Sequence, residues 1–328
     1  MMKKAPFLFW FPVLVLSACS CSTESGIQQI LGTRAEAPVF LDCHPVSSTE
    51  IVFKFSRPVK VVSLNFDIAL GTKSIENGRE VKVTLTQPAG EGQKITADLL
   101  VEDADRNTLN VIVPFKARND RMPALVFNEL RTEYSKPKVE FVEFLVLGQG
   151  NLGALRLFIA GYSLVKPVYE FSPVEVQAGE FVVLHLRTLE EGCVDETGSN
   201  LALSGGAEVL DVARDLWLPG NKKMIHKTDA LWLLDQDDRI IDAVLLSETC
   251  DTEWNKKDAA TASAAEFFGR EKAWSPNPAD AIMTGGTTTT RTICRDETIP
   301  PARRAANWYI TATSSATPGK QNNPKRYN

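Results

Sequence analysis

The sequence predicts an all-β fold with two β-sandwich domains, the second of which carries one inserted α-helix. A chain of 328 residues is long enough for about two domains. Apolar residues make up 44% of the chain and charged residues 23%, as in proteins that fold around a core. Between residues 37 and 117, short stretches alternate apolar and polar side chains, a spacing typical of β-sandwiches.

The first residues have the order of a secretory signal peptide. Met1–Lys4 carry positive charge, Ala5–Val15 form an apolar run, and Leu16-Ser17-Ala18-Cys19 follows at once. The apolar run is shorter than the roughly 20 residues that a membrane-spanning helix needs. Residues 1–18 are therefore left out of the fold prediction.

The string Leu16-Ser17-Ala18-Cys19 resembles the lipobox of bacterial lipoproteins. The resemblance implies a mature chain that begins at Cys19, whose thiol carries diacylglycerol. Acyl chains contribute about 0.8 kcal/mol per buried methylene and hold a folded domain at a bilayer. Ser20 stands where an aspartate retains some lipoproteins in the inner membrane, which favours the outer membrane. A secreted protein with a cysteine near its cleavage site is the alternative.

Residues 19–36 are rich in small and polar side chains, which predicts a flexible tether. The first domain then covers residues 37–119. Pro58 fixes φ and has no N–H to donate, so a strand is expected to stop pairing there and to switch sheets. Its predicted strands are Val39–Cys43, Glu50–Phe55, Val59–Ile68, Glu80–Leu85, Thr96–Val101 and Asn107–Phe115.

The segment from Ser48 to Val59, which contains Phe55-Ser56-Arg57-Pro58-Val59, resembles the opening of bacterial immunoglobulin-like modules of surface and cell-wall proteins. The resemblance implies an immunoglobulin-like sandwich for the first domain.

The second half resembles the lamin-tail domain, a compact immunoglobulin-like sandwich, over residues 120–322, followed by a polar tail at 323–328. The resemblance rests on several weak matches in the family's order. The matching pieces are Val126–Leu130, Glu140–Phe144, Leu155–Gly161, Phe181–Leu184, Asp229–Asp235, Arg239–Val244, Trp308 and Ala316–Asn322.

Residues 258–274 exceed what a minimal lamin-tail domain needs. Asp258 is suited to capping a helix start, and the alanine-rich run to Ala265 has high helix propensity. Phe267, Phe268 and Trp274 supply an apolar stripe. A helix inserted between two strands is therefore predicted near 258–274.

The six cysteines leave an odd number if Cys19 is acylated. Cys250 and Cys294 bracket the insertion and form the candidate disulfide, while free thiols are the equally weighted alternative. No cysteine spacing is typical of a zinc site.

Acidic residues are the main candidates for chemistry. Glu129, Glu140 and Glu143 could do acid–base work, but in the resembled family such residues belong to the fold, and that interpretation is preferred. Asp235, Asp237, Asp238 and Asp242 could bind calcium, yet the sixth-position glycine and closing glutamate of a calcium loop are missing. A hairpin turn is preferred, and the same holds for Asp103–Asn107.

Other motifs are weak. His44, His185 and His226 are scattered, and His185 is expected to face solvent from its strand. Ser204–Ala207 lacks the lysine of a phosphate loop and is interpreted as a turn. Most tryptophans are expected in the core, with Trp254, Trp274 and Trp308 as the candidate binding surface.

Together these observations predict no catalytic residues, no bound metal and no cofactor. The formal net charge of −5 gives no basic face for nucleic acid. We expect a lipoprotein held at the membrane by Cys19, acting as a non-enzymatic module that binds an envelope protein or glycan. The predicted contact regions are Glu190–Asp215 and Thr249–Arg295. A metal-dependent hydrolase or its accessory subunit is the alternative, because lamin-tail domains also accompany secreted nucleases and phosphatases.

Overall fold

The computed structural model describes residues 37–327, so the predicted signal peptide, Cys19 and the tether lie outside the described residues. The described chain is all-β, with two β-sandwiches and one α-helix, which confirms the predicted fold class. Among residues 37–327, no helix has both the length and the apolar character needed to cross a membrane.

The first sandwich is one six-stranded sheet folded into two layers. Its strand order is β3-β4-β2-β5-β6, with β1 paired to β2. The strands are β1 (Phe40–Ser47), β2 (Glu50–Phe66), β3 (Thr72–Glu76), β4 (Gly78–Leu85), β5 (Lys94–Glu102) and β6 (Thr108–Lys116).

Strand β2 belongs to both layers. Its first part pairs with β4 from Glu50 to Lys54 and again at Val59 after a register shift, and its last part pairs with β5 from Lys60 onward. That register shift contains Pro58, whose missing N–H interrupts the pairing. The predicted switch of sheets at Pro58 is confirmed, although the chain there is one continuous strand rather than two.

Alternation of side chains explains why these segments pair as they do. In β5, Ile95, Ala97, Leu99 and Val101 are buried, while the residues between them are more accessible. A strand points successive side chains to opposite faces, so this pattern places one face in the core. Strand β3 has no such alternation and lies exposed at the sheet edge, which is why the sequence did not predict it.

The second sandwich packs a six-stranded sheet, β14-β13-β8-β7-β18-β19, against a five-stranded sheet, β11-β10-β15-β16-β17. A short pair, β9-β12, completes it. The strands are β7 (Ala124–Arg131), β8 (Phe141–Gly148), β9 (Gly150–Asn151), β10 (Arg156–Ile159), β11 (Tyr169–Glu170), β12 (Glu175–Val176), β13 (Phe181–His185), β14 (Arg214–Trp217), β15 (Asp229–Leu234), β16 (Ile240–Ser247), β17 (Ile282–Met283), β18 (Ile293–Arg295) and β19 (Trp308–Ile310).

The inserted helix α1 (Ala259–Arg270) lies within the predicted stretch and ends before Trp274. Phe268 is fully buried, and both Phe267 and Phe268 meet the ring of Trp232 edge-on. The helix therefore packs on strand β15 of the five-stranded sheet through these two phenylalanines. Asp258 occupies the position before the helix, but its side chain makes no capping hydrogen bond, so that part of the prediction is wrong.

The two sandwiches meet through polar contacts. Arg118 forms a two-pronged ion pair with Asp237, with N–O distances of 2.9 and 2.8 Å. The buried side chain of Asn119 donates to the carbonyls of Asn151 and Gly153 and accepts from the amide of Arg121. The side-chain amide of Asn119 therefore fixes the path of the chain between the two sandwiches.

We expect Asn119→Ala to destabilise the protein by about 2 to 4 kcal/mol, because it leaves buried carbonyl groups without donors. Urea denaturation would measure the free energy of unfolding. Asn110→Ala is the matched control, since Asn110 is exposed on β6, and it should change stability by less than about 0.5 kcal/mol. Equal stabilities of the two variants would contradict this role for Asn119.

Candidate functional site

The candidate acid–base residues Glu129 and Glu143 face each other on neighbouring strands β7 and β8 and are fully buried. Glu129 accepts hydrogen bonds from Thr292 and Thr317, and Glu143 accepts from Asn128 and from the amide of Gly319. Burial raises the pKa of both carboxyls, and the charge of Glu129 raises that of Glu143 further. Both side chains are occupied in holding the fold.

These contacts tie the end of the described chain to the middle of the sheet. Besides Thr317 and Gly319, Asn322 donates its backbone amide to Glu297, which also accepts from Asn128. We call residues 317–322 the C-terminal strap. The carboxylates of Glu129 and Glu143 in the six-stranded sheet, and of Glu297 in the loop after β18, therefore accept hydrogen bonds from the C-terminal strap.

Glu140 and Asp242 are neutralised by arginines. Glu140 receives both forks of Arg187 at 2.5 and 2.6 Å. Asp242 lies 2.7 Å from Arg295 and 3.3 Å from Arg303. Burial raises the pKa of Asp242, while the neighbouring Arg295 opposes that shift.

The two acidic segments are turns. Asp235 accepts from the amides of Asp237 and Arg239, and Asp238 has a positive φ of 62°. Asp103 likewise accepts from the amides of Asp105 and Asn107. These turns match the preferred interpretation of both segments. Among residues 37–327, no group of three or more His, Cys, Asp and Glu side chains is placed to hold a metal ion.

The prediction for His185 is wrong. Its ring is buried, lies 2.6 Å from the carboxylate of Asp215 and stacks on Trp217 with ring centroids 3.9 Å apart. Strand β14 pairs in parallel with β13 and places Trp217 beside His185, which the local sequence around His185 does not indicate. Ser204, in the glycine-rich stretch, accepts from the indole N–H of the same Trp217.

The candidate disulfide is not formed, since Cys250 and Cys294 are both free thiols. Cys294 lies buried on β18, opposite Glu129, whereas Cys250 follows β16 of the other sheet. Burial and the charge of Glu129 raise the pKa of the Cys294 thiol. The two cysteines bracket the insertion in sequence but belong to different layers.

The candidate tryptophan surface is also wrong. Trp274 and Trp308 are only 4% and 7% exposed, and Trp254 is partly buried. Trp274 donates to the carbonyl of Asp280, and Trp254 donates to that of Pro276. All three rings pack in or against the core of the second sandwich, so they offer no aromatic platform.

An accessible site lies instead at the distal end of the second sandwich, the end remote from the junction with the first. Four connections meet there: those after β7, β10, β14 and β16. They enclose a cavity of about 620 Å³. Its lining includes Glu133, Gly161, Lys223, His226, Lys227, Glu248, Lys257, Asp258 and Thr261.

Both signs of charge line this distal cavity. Lys223 lies 3.6 Å from Glu133, and Lys227 lies 3.5 Å from Glu248. Lys257 makes no ion pair within the described chain, which leaves its ammonium available. The cavity therefore suits a ligand group that is itself charged or strongly polar.

The cavity floor depends on a glycine. The amide of Gly161 donates to the buried carboxylate of Asp229 at 2.9 Å. A Cβ at this position would stand 2.7 Å from Asp229 and 2.8 Å from the ring of His226. Only glycine allows the chain to approach both groups. This approach holds His226 at the cavity with half of its side chain exposed.

Thr261 also lines the cavity. The residue lies on the first turn of α1 and is 3% exposed. Its hydroxyl adds a polar group to a lining that is otherwise mainly charged.

Sequence reasoning missed this site because its residues come from four separate loops. The cluster Lys222-Lys223 with Lys227 was the one local signal, and nothing in the sequence alone linked it to Glu133, Gly161 or Lys257. The predicted contact region Thr249–Arg295 contributes only its first part to the cavity.

A family model described as "protein second domain" matches residues 123–310, more than half of the chain. An "Uncharacterized protein" from Treponema pallidum (strain Nichols) is 29% identical over 149 residues, which is 44% of this chain and 38% of that protein. The matched stretch thus spans well under half of that relative's length.

We expect stability to fall as pH rises above about 4.5, because the folded state holds protons on Glu129, Glu143 and Asp242 more tightly than the unfolded chain does. The raised folded pKa values contribute stability below the unfolded pKa, and this contribution is lost as pH passes the folded pKa. Thermal melts between pH 5 and 8.5 would show the slope. It should be shallower for Glu143→Gln and unchanged for the exposed control Glu266→Gln; an unchanged slope in Glu143→Gln would contradict the assignment.

Proposed function

This chain belongs to the family described as "protein second domain", and on that premise we propose that its second sandwich is the binding part of a membrane-anchored lipoprotein, a non-enzymatic module of the bacterial cell envelope. The observation that carries the proposal is the distal cavity, the accessible polar site on which four loops of that sandwich converge. Recognition loops commonly cluster at the end of a sandwich.

The state of the buried carboxylates supports a non-catalytic module. A general acid or base must reach a substrate with its carboxyl group free to exchange a proton. In this chain Glu140 is held by Arg187, Asp242 by Arg295, and Glu129 by the C-terminal strap. Breaking these contacts would leave unpaired charges buried in the second sandwich, so the carboxylates are better suited to stabilising the fold than to catalysis.

The lipoprotein part of the proposal rests on the lipobox-like string that ends at Cys19. Likewise, the resemblance of the second sandwich to lamin-tail domains is supported by its two packed sheets and by the residues quoted above. In this proposal the first sandwich separates the distal end from the anchored N-terminus. The anchoring membrane is the outer one, because Ser20 stands where an aspartate retains some lipoproteins in the inner membrane. The partner is an envelope protein, glycan or lipid with charged groups.

Acylation at Cys19 is testable directly. Cells that express the full chain are fed an alkyne fatty acid, and the protein is examined for label and for partition into the detergent phase. We expect label in wild type, loss of label in Cys19→Ala, and full label in the matched control Cys21→Ala, because only Cys19 follows the small residues of the signal. Label that survives Cys19→Ala would refute the anchor.

The alternative of a metal-dependent hydrolase predicts calcium binding at the acidic turns. We expect no rise in melting temperature in millimolar calcium, because Asp237 is paired with Arg118 and Asp238 with Arg156. A ligand present at 100 times its dissociation constant would stabilise the fold by about 2.7 kcal/mol. A rise that disappears in Asp237→Asn would favour the hydrolase.

A further inference from the structure

An exposed apolar loop borders the distal cavity. Tyr162, Leu164 and Val165 are 50%, 41% and 82% exposed, respectively, and directly follow Gly161 of the cavity floor. Large apolar side chains that stand together in solvent often mark a contact with a membrane or a partner. We call residues 162–165 the apolar tip.

Three of the four backbone amides of the apolar tip already have hydrogen-bond partners. The amides of Tyr162 and Ser163 both donate to the carbonyl of Ile159 at 3.0 Å. The hydroxyl of Ser163 accepts from the amides of Val165 and Lys166 at 3.1 and 3.0 Å. Free amides are costly to bring into an apolar medium, and here those of Tyr162, Ser163 and Val165 have partners before any insertion.

Exposed lysines lie at the same end of the second sandwich as the apolar tip. Lys166 follows Val165 directly, and Lys222, Lys256 and Lys257 are exposed on loops at the same end. None of these four makes an ion pair with any residue in the range 37–327. Asp251 and Glu253, on the loop before α1, lower the net positive charge of this end of the sandwich. The lysines can therefore strengthen a contact made by the apolar tip, but they are not sufficient to make it alone.

We propose that the distal end binds the surface of a phospholipid bilayer, with the apolar tip inserted among the lipids and headgroup phosphates held by the lysines and the distal cavity. The inference rests on the proposed function only in taking the distal end as the binding end. Tyrosine suits the headgroup level, aliphatic side chains suit the level below it, and lysine stems extend back to the phosphates.

The exposed ammonium of Lys257 supplies donors for a phosphate oxygen at the cavity. Glu133 and Glu248 are paired with Lys223 and Lys227, so they oppose an anionic headgroup less than free carboxylates would. Asp258 also lines the cavity and offsets part of the charge of Lys257, so the apolar tip has to supply much of the binding. The geometry therefore combines an apolar anchor with a headgroup site on adjoining loops.

The test uses the mature chain from residue 19 with Cys19→Ser, so that no acyl chain contributes to binding. We expect it to float with phosphatidylcholine vesicles that contain phosphatidylglycerol and less with phosphatidylcholine alone. Val165→Asp should weaken binding about tenfold or more, since it removes the burial of one valine and adds a charge. The matched control Val212→Asp, at a valine that is 71% exposed away from the tip, should bind as well as the parent.

Charge is tested separately. Lys257→Gln should weaken binding to the anionic vesicles about fivefold, and Lys73→Gln of the first sandwich should not. Absence of flotation with both vesicles, or equal loss in Val165→Asp and Val212→Asp, would overturn the proposal. So would stabilisation by inorganic phosphate without any vesicle binding. Because the chain is unacylated, a failure of the Cys19 anchor leaves this result unaffected, and the two proposals can fail separately.

Discussion

Burial of carboxylates inside a β-sheet is the constraint on which the second sandwich depends. Removing a carboxylate from water costs several kcal/mol unless nearby donors compensate. The second sandwich meets this requirement with partners that are distant in sequence: Glu129 is bonded by Thr317, Glu140 by Arg187 and Asp242 by Arg295. These polar contacts join layers and loops that apolar packing alone would leave free to slide.

The same constraint determines where the protein can interact. Charged groups of the interior are already committed to one another, so the charges available to a partner lie on loops. At the junction end, such loop charges are used between the two sandwiches, as in the pair of Arg118 with Asp237. At the distal end, Lys257 and the hydroxyl of Thr261 face a cavity instead. Charged side chains therefore join the two sandwiches at one end of the second sandwich and line an accessible cavity at the other.

Much of the fold could be predicted because local sequence patterns determine it. Alternation located the strands around Phe53 and Val83, and Pro58 located the change of sheets. The parts that failed depend on contacts between distant segments. Nothing near Cys294 shows that it pairs in a sheet opposite Glu129, and nothing near His185 shows that β14 will cover it. The distal cavity was not predictable for the same reason, since each of its loops supplies only a few residues.

The C-terminal strap also has a consequence for the order of events in biogenesis. Thr317 lies 188 positions after the carboxylate of Glu129 that it satisfies, so the buried charge has no donor from the strap until nearly the whole chain has been synthesised. Before that point, closing the sheet would trap an undersolvated anion. A nascent chain is thereby kept from completing this sandwich until its last residues have been added.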